Sequence, residues 1–320
     1  MPWKRRAGHR AAALSLAAAA VVLGGCAAPA PVAVKALDNS PSPVKSAVVH
    51  PSQGTQGTQG TQGTQEPEDA VTEKPVSYRP ADPEDTVRTP SGYLVNKCVP
   101  RRLYEHVTTL TTQDGKHLST LILGKGPDAV YFGHQYGGQI CNFLDLAEEF
   151  AKRGYRVMLP EFRNHVASEK SDSSSALDAK AAFDKLKDLG TKRVFLAGAS
   201  CGGTTAATQG VASGIPLAGL ALLSSPARCD GDAVAAVKKI KAPSMFLVEH
   251  DDMQGGHERQ IRELYEASAA SDKRLVAVDG EEHGTLMLYG SKEDDERRAM
   301  VVSFIANAFT AGDEAGGGSR

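Results

Sequence analysis

From about Leu103 to Phe309 the chain alternates short apolar runs with segments whose apolar residues recur at helical spacing. Two extended runs come first, at 103–112 and 117–123, and the Asp114-Gly115 pair between them is a tight-turn signal. Residues 129–132 form a compact apolar run closed by Gly133. Phe143, Leu146, Ala147 and Phe150 predict a helix over 142–153 that stops at Gly154, and 155–159 predicts a strand stopped by Pro160. A second helix is expected over 176–189, ending at Gly190. The run 193–197 predicts a buried strand, followed at once by Gly198 and a helix of small residues. The remaining expectations are a strand at 217–223, a short helix at 233–240, a strand at 244–249, a helix at 258–270, a strand at 274–278 and a final helix at 293–309.

Strands this short and apolar, alternating with helices, imply an α/β domain whose mostly parallel sheet is covered by helices on both faces. The early hairpin suits an antiparallel edge on that sheet. At 320 residues and 41% hydrophobic content the chain can bury a sizeable core, but its apolar residues are concentrated after Asn96.

The first residues carry a processing signature. Lys4, Arg5, Arg6 and Arg10 precede an apolar run over 11–23, which is too short to cross a bilayer comfortably and ends in Leu23-Gly24-Gly25-Cys26. That ending resembles a bacterial lipobox, which implies cleavage before Cys26, lipidation of its thiol and anchorage in the cell envelope on the extracytoplasmic side of a membrane. A plain signal peptide cleaved after Ala28 or Ala30 is the alternative. From Ala27 to about Asn96 the chain is polar and Pro-rich, with a Gln-Gly-Thr repeat through Gln65. It offers too little apolar surface to offset chain ordering, so a disordered tether with an r.m.s. reach of about 45 Å is expected. The chain is therefore divided into a signal peptide at 1–25, a tether at 26–96, a folded domain at 97–311 and a flexible tail at 312–320.

The formal net charge of −2 gives no global field for nucleic acid, and removing the signal peptide takes away cations and no carboxylate. Its His, Cys and acidic residues show neither C-x-x-C nor H-E-x-x-H spacing, so no metal site is expected.

The chemistry concentrates in Gly198-Ala199-Ser200-Cys201-Gly202, a G-x-S-x-G motif that follows an apolar strand and opens a helix. Such a turn exposes the serine on a sharp bend, with the glycines making room for strand and helix. With this motif in this element order, residues 103–309 resemble the α/β-hydrolase superfamily of esterases and lipases. Gly133-His134-Gln135-Tyr136-Gly137-Gly138 looks like the family's His-Gly-x-Gly-Gly oxyanion loop, with Gln135 where glycine is usual. The resemblance implies oxyanion donors at the backbone N–H groups of Tyr136 and Cys201, with His134 fixing the loop. Pro160-Glu161-Phe162-Arg163-Asn164-His165 resembles a family segment that is mainly structural, so Arg163 and His165 receive no catalytic role.

Family order then places the acid in Glu249-His250-Asp251-Asp252, with Asp252 favoured and Asp251 as the alternative, and the base at His283. His250 and His257 compete for the base but lie on the acid loop and the next helix, where both can be solvated. The short interval between Leu223 and Ser244 leaves no room for a large cap domain. The implied activity is hydrolysis of a small or lipid-derived carboxylic ester through an acyl-enzyme, without cofactor. An exopeptidase or amidase, an acyl transferase and a non-catalytic surface-anchored binding protein are the competing functions. If Cys26 is lipidated, Cys98, Cys141, Cys201 and Cys229 can form two disulfides in three connectivities. On the implied fold, Cys201 and Cys229 come close, which leaves Cys98 with Cys141.

Overall fold

The computed structural model describes residues 74–316. Cys26, the signal peptide and the Gln-Gly-Thr run lie outside the described residues. Among the described residues the ten strands are β1 (Thr86–Arg88), β2 (Leu94–Asn96), β3 (Val107–Thr111), β4 (His117–Leu123), β5 (Asp128–Gly133), β6 (Arg156–Pro160), β7 (Arg193–Ala199), β8 (Leu217–Leu223), β9 (Ser244–Glu249) and β10 (Lys273–Val278). The helices are α1 (Leu144–Lys152), α2 (Ala176–Asp188), α3 (Cys201–Ser213), α4 (Ala233–Val237), α5 (Gly256–Ala267) and α6 (Lys292–Gly316).

Eight strands form one sheet in the order β10-β9-β8-β7-β5-β6-β4-β3. All neighbours from β10 to β6 run parallel, while β4 is antiparallel to both β3 and β6. The expected hairpin is therefore the antiparallel edge, turned at Gly115 with φ +76°.

Period-2 alternation divides the strand side chains between two cores. Val130, Phe132, Phe195, Ala197 and Leu247 face α1 and α6, where they meet Leu146, Phe150, Ile305 and Phe309. Ala129, Tyr131, Leu196, Phe246 and Val248 face α2 to α5, against Phe183, Leu186, Val237 and Leu264. Each of these large side chains contributes about 1.5–3 kcal/mol when removed from water, which is why the apolar runs sit at the centre of the sheet.

Three expectations need correction. The tether does not extend to Asn96: β1 and β2 form an antiparallel hairpin, Val95 is fully buried in the core, and Ser119 Oγ donates to Leu94 O. Upstream, Ala81 and Asp82 donate backbone N–H groups to Ser168 O and Val166 O, and the Tyr78 hydroxyl donates to Ala167 O. The order comes from a few buried apolar side chains, Leu94 and Val95 among them, together with polar contacts to a distant loop that composition does not reveal. Second, the start of the expected strand at 103–112 lies in a 3-10 turn, Arg101–His106, and the start of the expected helix at 142–153 in another, Ile140–Phe143. Third, α6 runs to Gly316 and takes in part of the expected tail.

Both disulfides have the pairing implied by the fold: Cys98–Cys141, with Cα atoms 6.2 Å apart, and Cys201–Cys229, 5.3 Å apart. Between β8 and β9 only the short α4 intervenes, so no cap domain stands there.

Candidate active site

β5 and β7 are parallel neighbours, but the order of strand addition reverses between them, with β6 added on one side of β5 and β7 on the other, the place where α/β sheets open a crevice beyond their strand ends. Ser200 sits there, between β7 and α3, at φ +49° and ψ −134°. A non-glycine residue in that region is strained and persists only where its surroundings hold it. Here its backbone N–H donates to Leu223 O at 2.8 Å. Gly202 explains the motif: a Cβ there would lie 2.2 Å from His134 O and 2.5 Å from Gly133 O. The start of α3 thus packs directly on the loop after β5.

The two candidate acids follow β9. Asp252 is completely buried, and its two carboxylate oxygens lie 2.9 and 3.0 Å from His283 Nδ1. The turn beyond it is tight, with Met253, Gln254 and Gly255 all at positive φ. Asp251 points the other way: its side chain is exposed, and its backbone N–H bonds Gly280 O. The geometry distinguishes the two carboxylates by burial and by contact.

His283 lies beyond β10 on a loop held at several points. Glu249 Oε2 accepts the Glu282 N–H at 2.6 Å, Ser224 Oγ accepts the Gly284 N–H at 3.0 Å, and Gln135 Oε1 accepts from both Thr285 N (3.1 Å) and Thr285 Oγ1 (2.8 Å). A Cβ on Gly284 would come within 3.2 Å of the Ala199 Cβ, so the residue after His283 lies against the residue before Ser200. The hydrogen bonds of His283 run to Asp252 and not to Ser200 Oγ. Hydrogen bonds of this kind are often long without substrate.

The loop after β5, the candidate oxyanion loop, is fixed by two neutral imidazoles. His134 Nε2 accepts the Phe162 N–H and its Nδ1 donates to Gln135 O, both at 2.9 Å. Burial, reinforced by the neighbouring His165, pushes the His134 pKa down to about 3. His165 Nε2 accepts the Gly137 N–H at 3.0 Å and its Nδ1 donates to Arg163 O; burial lowers its pKa as well. The network assigns both tautomers. Arg163 is buried between Asp178 and Asp114, at 2.7 and 2.9 Å. Glu161, raised in pKa by burial, accepts from Asn96 Nδ2, Ile140 N and Ala167 N. His134, Arg163 and His165 therefore have the structural parts expected of them.

Tyr136 is 79% exposed at the tip of this loop. Among the described residues, neither its N–H nor that of Cys201 is used in a backbone hydrogen bond. A cleft of about 560 Å³ opens beside them, lined by Tyr136, Phe162, Asn164, His165, Cys201 and Asp230; Ser200 and His283 adjoin it through Cys201 and the loop of Tyr136 rather than lining it.

Sequence reasoning missed the clamps made by Gln135 and Glu249, whose partners are remote in the chain. It also treated His257 as solvated. His250 does pair with Glu258 at the surface, at 3.1 Å, but His257 lies 4.5 Å, centroid to centroid, from the ring of His283. Its Nδ1 is buried without a partner.

No protein-family model and no curated protein matches the sequence. Solved structures do. An esterase from Pyrococcus furiosus is 20% identical with a TM-score of 0.54, over 69% of this chain and 97% of that one. A monoacylglycerol lipase from Paleococcus ferrophilus is 17% identical with a TM-score of 0.51, over 60% and 99%. A hydrolase from Pseudomonas aeruginosa is 14% identical with a TM-score of 0.51, over 62% and 98%. The domain has the α/β-hydrolase fold.

Proposed function

We propose that the protein is a serine hydrolase that cleaves carboxylic esters, with Ser200 as nucleophile, His283 as base and Asp252 as the acid that orients it. The observation that carries this reading is the fully buried Asp252 carboxylate set on His283 Nδ1, on a loop packed against the serine's strained turn. A neutral serine is a weak nucleophile, so His283 takes its proton through Nε2 as Oγ attacks the ester carbonyl. Asp252 keeps the Nδ1–H tautomer and stabilises the imidazolium. The N–H groups of Tyr136 and Cys201 receive the oxyanion, and the histidine then returns its proton to the leaving alcohol. Water activated by the same nitrogen releases the acyl group.

Esters are favoured over amides because the Pyrococcus and Paleococcus structures are described as an esterase and a monoacylglycerol lipase. The cleft has the volume of a small-ligand site. Two disulfides fit an oxidising compartment, and with the lipobox-like Leu23-Gly24-Gly25-Cys26 they support an extracytoplasmic, lipid-anchored enzyme.

A fluorophosphonate probe and short-chain p-nitrophenyl esters test the reading. Labelling and turnover that both vanish in Ser200→Ala are expected. A folded wild-type protein with neither would overturn it in favour of a binding protein.

A further inference from the structure

We infer that Asp252, His257 and His283 form an inhibitory site for Zn2+. One ligand atom from each residue lies within 4.8 Å of the others, on a buried carboxylate and two partly buried imidazoles. Carboxylate and imidazole are ordinary zinc ligands, and a set of three leaves a fourth tetrahedral position for water. Tetrahedral zinc with bonds of about 2.0–2.2 Å sets its ligand atoms about 3.3–3.6 Å apart, so the widest of these separations has to close by as much as about 1.3 Å. The ring able to do so is His257, at the start of α5, whose Nδ1 is buried and unpartnered. A buried ring nitrogen without a hydrogen bond costs free energy and calls for an explanation. The His257 ring has the Ser224 backbone beside it and feels the Asp252 carboxylate, yet its Nδ1 is left without a partner, and the ion pair of Asp252 is with His283.

Sequence spacing conceals this set. Asp252 and His257 come from the turn after β9 and the first turn of α5, and His283 from the loop after β10. The thiols that would compete for zinc are removed, since all four described cysteines are in disulfides.

The consequence for catalysis rests on the function proposed above. A metal on His283 Nδ1 displaces the Nδ1 proton to solvent and leaves the remaining ring proton on Nε2. That nitrogen then has no lone pair with which to accept the Ser200 proton. It also takes the Asp252 carboxylate away from its orienting bond. Zinc-loaded protein is therefore inactive, and chelation restores it.

The test is zinc binding by calorimetry on untagged full-length protein, run beside p-nitrophenyl ester turnover. Wild type and Ser200→Ala are expected to bind one Zn2+ each, reversed by a chelator. His257→Phe is expected to weaken binding by more than about a hundredfold, since losing even an outer-sphere partner costs ten- to a hundredfold. Its turnover becomes insensitive to zinc. His257→Gln, read in the same way, serves if the phenylalanine variant is misfolded. No zinc binding by wild type, or binding that both His257 variants keep, overturns the site. Binding that depends on His257 in a protein without ester turnover keeps the site and sinks the hydrolase, whereas turnover without binding does the reverse.

Discussion

Gln135 Oε1 accepts two hydrogen bonds from Thr285, one from its backbone N–H at 3.1 Å and one from its hydroxyl at 2.8 Å, across 150 residues of sequence. The amide is buried, and it joins the loop of the proposed oxyanion donor Tyr136 to the loop of His283. Where the α/β-hydrolase pattern usually has glycine, this chain has a side chain that fixes the distance between two parts of its site. The departure has a positional purpose.

Gln135→Ala removes the acceptor and leaves both Thr285 donors buried, which costs about 1–3 kcal/mol. Misplacing the loops by an ångström costs up to about a hundredfold in rate. We expect kcat on p-nitrophenyl acetate to fall by about ten- to a hundredfold, with KM changed less. Steady-state kinetics with a urea melt on the same sample check it; an unchanged kcat would show that the clamp does not position the site.

The two neighbouring carboxylates should separate by their burial. Asp252→Asn allows the amide to favour the wrong tautomer of His283, and kcat falls by about 10³–10⁴. Asp251 is exposed and touches neither imidazole, so Asp251→Asn stays within about twofold of wild type, as surface substitutions do. Equal losses in the two variants would contradict the assignment of the acid.

Much of this was legible in the sequence because the signals were local. The expected ranges 217–223 and 244–249 coincide with β8 and β9. Both are continuous apolar runs ended by polar residues, the pattern of a strand buried on two faces. Ser200 was legible because strand, glycines and helix stand next to each other. The hairpin of β1 and β2 was not, because it is held by the backbone of residues 166–168 and by Ser119 rather than by its own periodicity. His257 was not legible for a related reason. Its place in an α5 turn indicated solvent, and only the return of the chain at His283 covers it.

Stability should fall with acid through His134. Its pKa is about 3 in the folded state against an ordinary value near 6.5. Above pH 6.5 both states are neutral and the group has no effect. Between pH 6.5 and 3 the unfolded chain takes up a proton that the folded one refuses, so stability drops as pH falls. His134→Asn keeps one of the two hydrogen-bonding roles and cannot titrate. Urea midpoints at pH 7.5, 6 and 5 should show the variant less stable at pH 7.5 and the gap narrowing toward pH 5. A gap that is constant or widens in acid rejects the assignment.

The Cys201–Cys229 bond should matter more for turnover than for folding. Cys201 supplies a proposed oxyanion N–H at the first residue of α3, and the bond ties it to the segment after β8, close beside the cleft wall at Asp230. Cys98–Cys141 instead joins the end of the β1–β2 hairpin to the 3-10 turn before α1, closing a 43-residue separation. Removing that second bond as Cys98→Ala/Cys141→Ala costs about 2–5 kcal/mol, read as a lower melting midpoint. Cys201→Ala/Cys229→Ala should lower kcat at a temperature where the variant is still fully folded, because α3 is already held at its start by the Ser200 N–H bond to Leu223 and by close packing on His134. The prior check is a thiol count on denatured, unreduced protein, where none of the four should react. Four reactive thiols would remove the basis of both expectations.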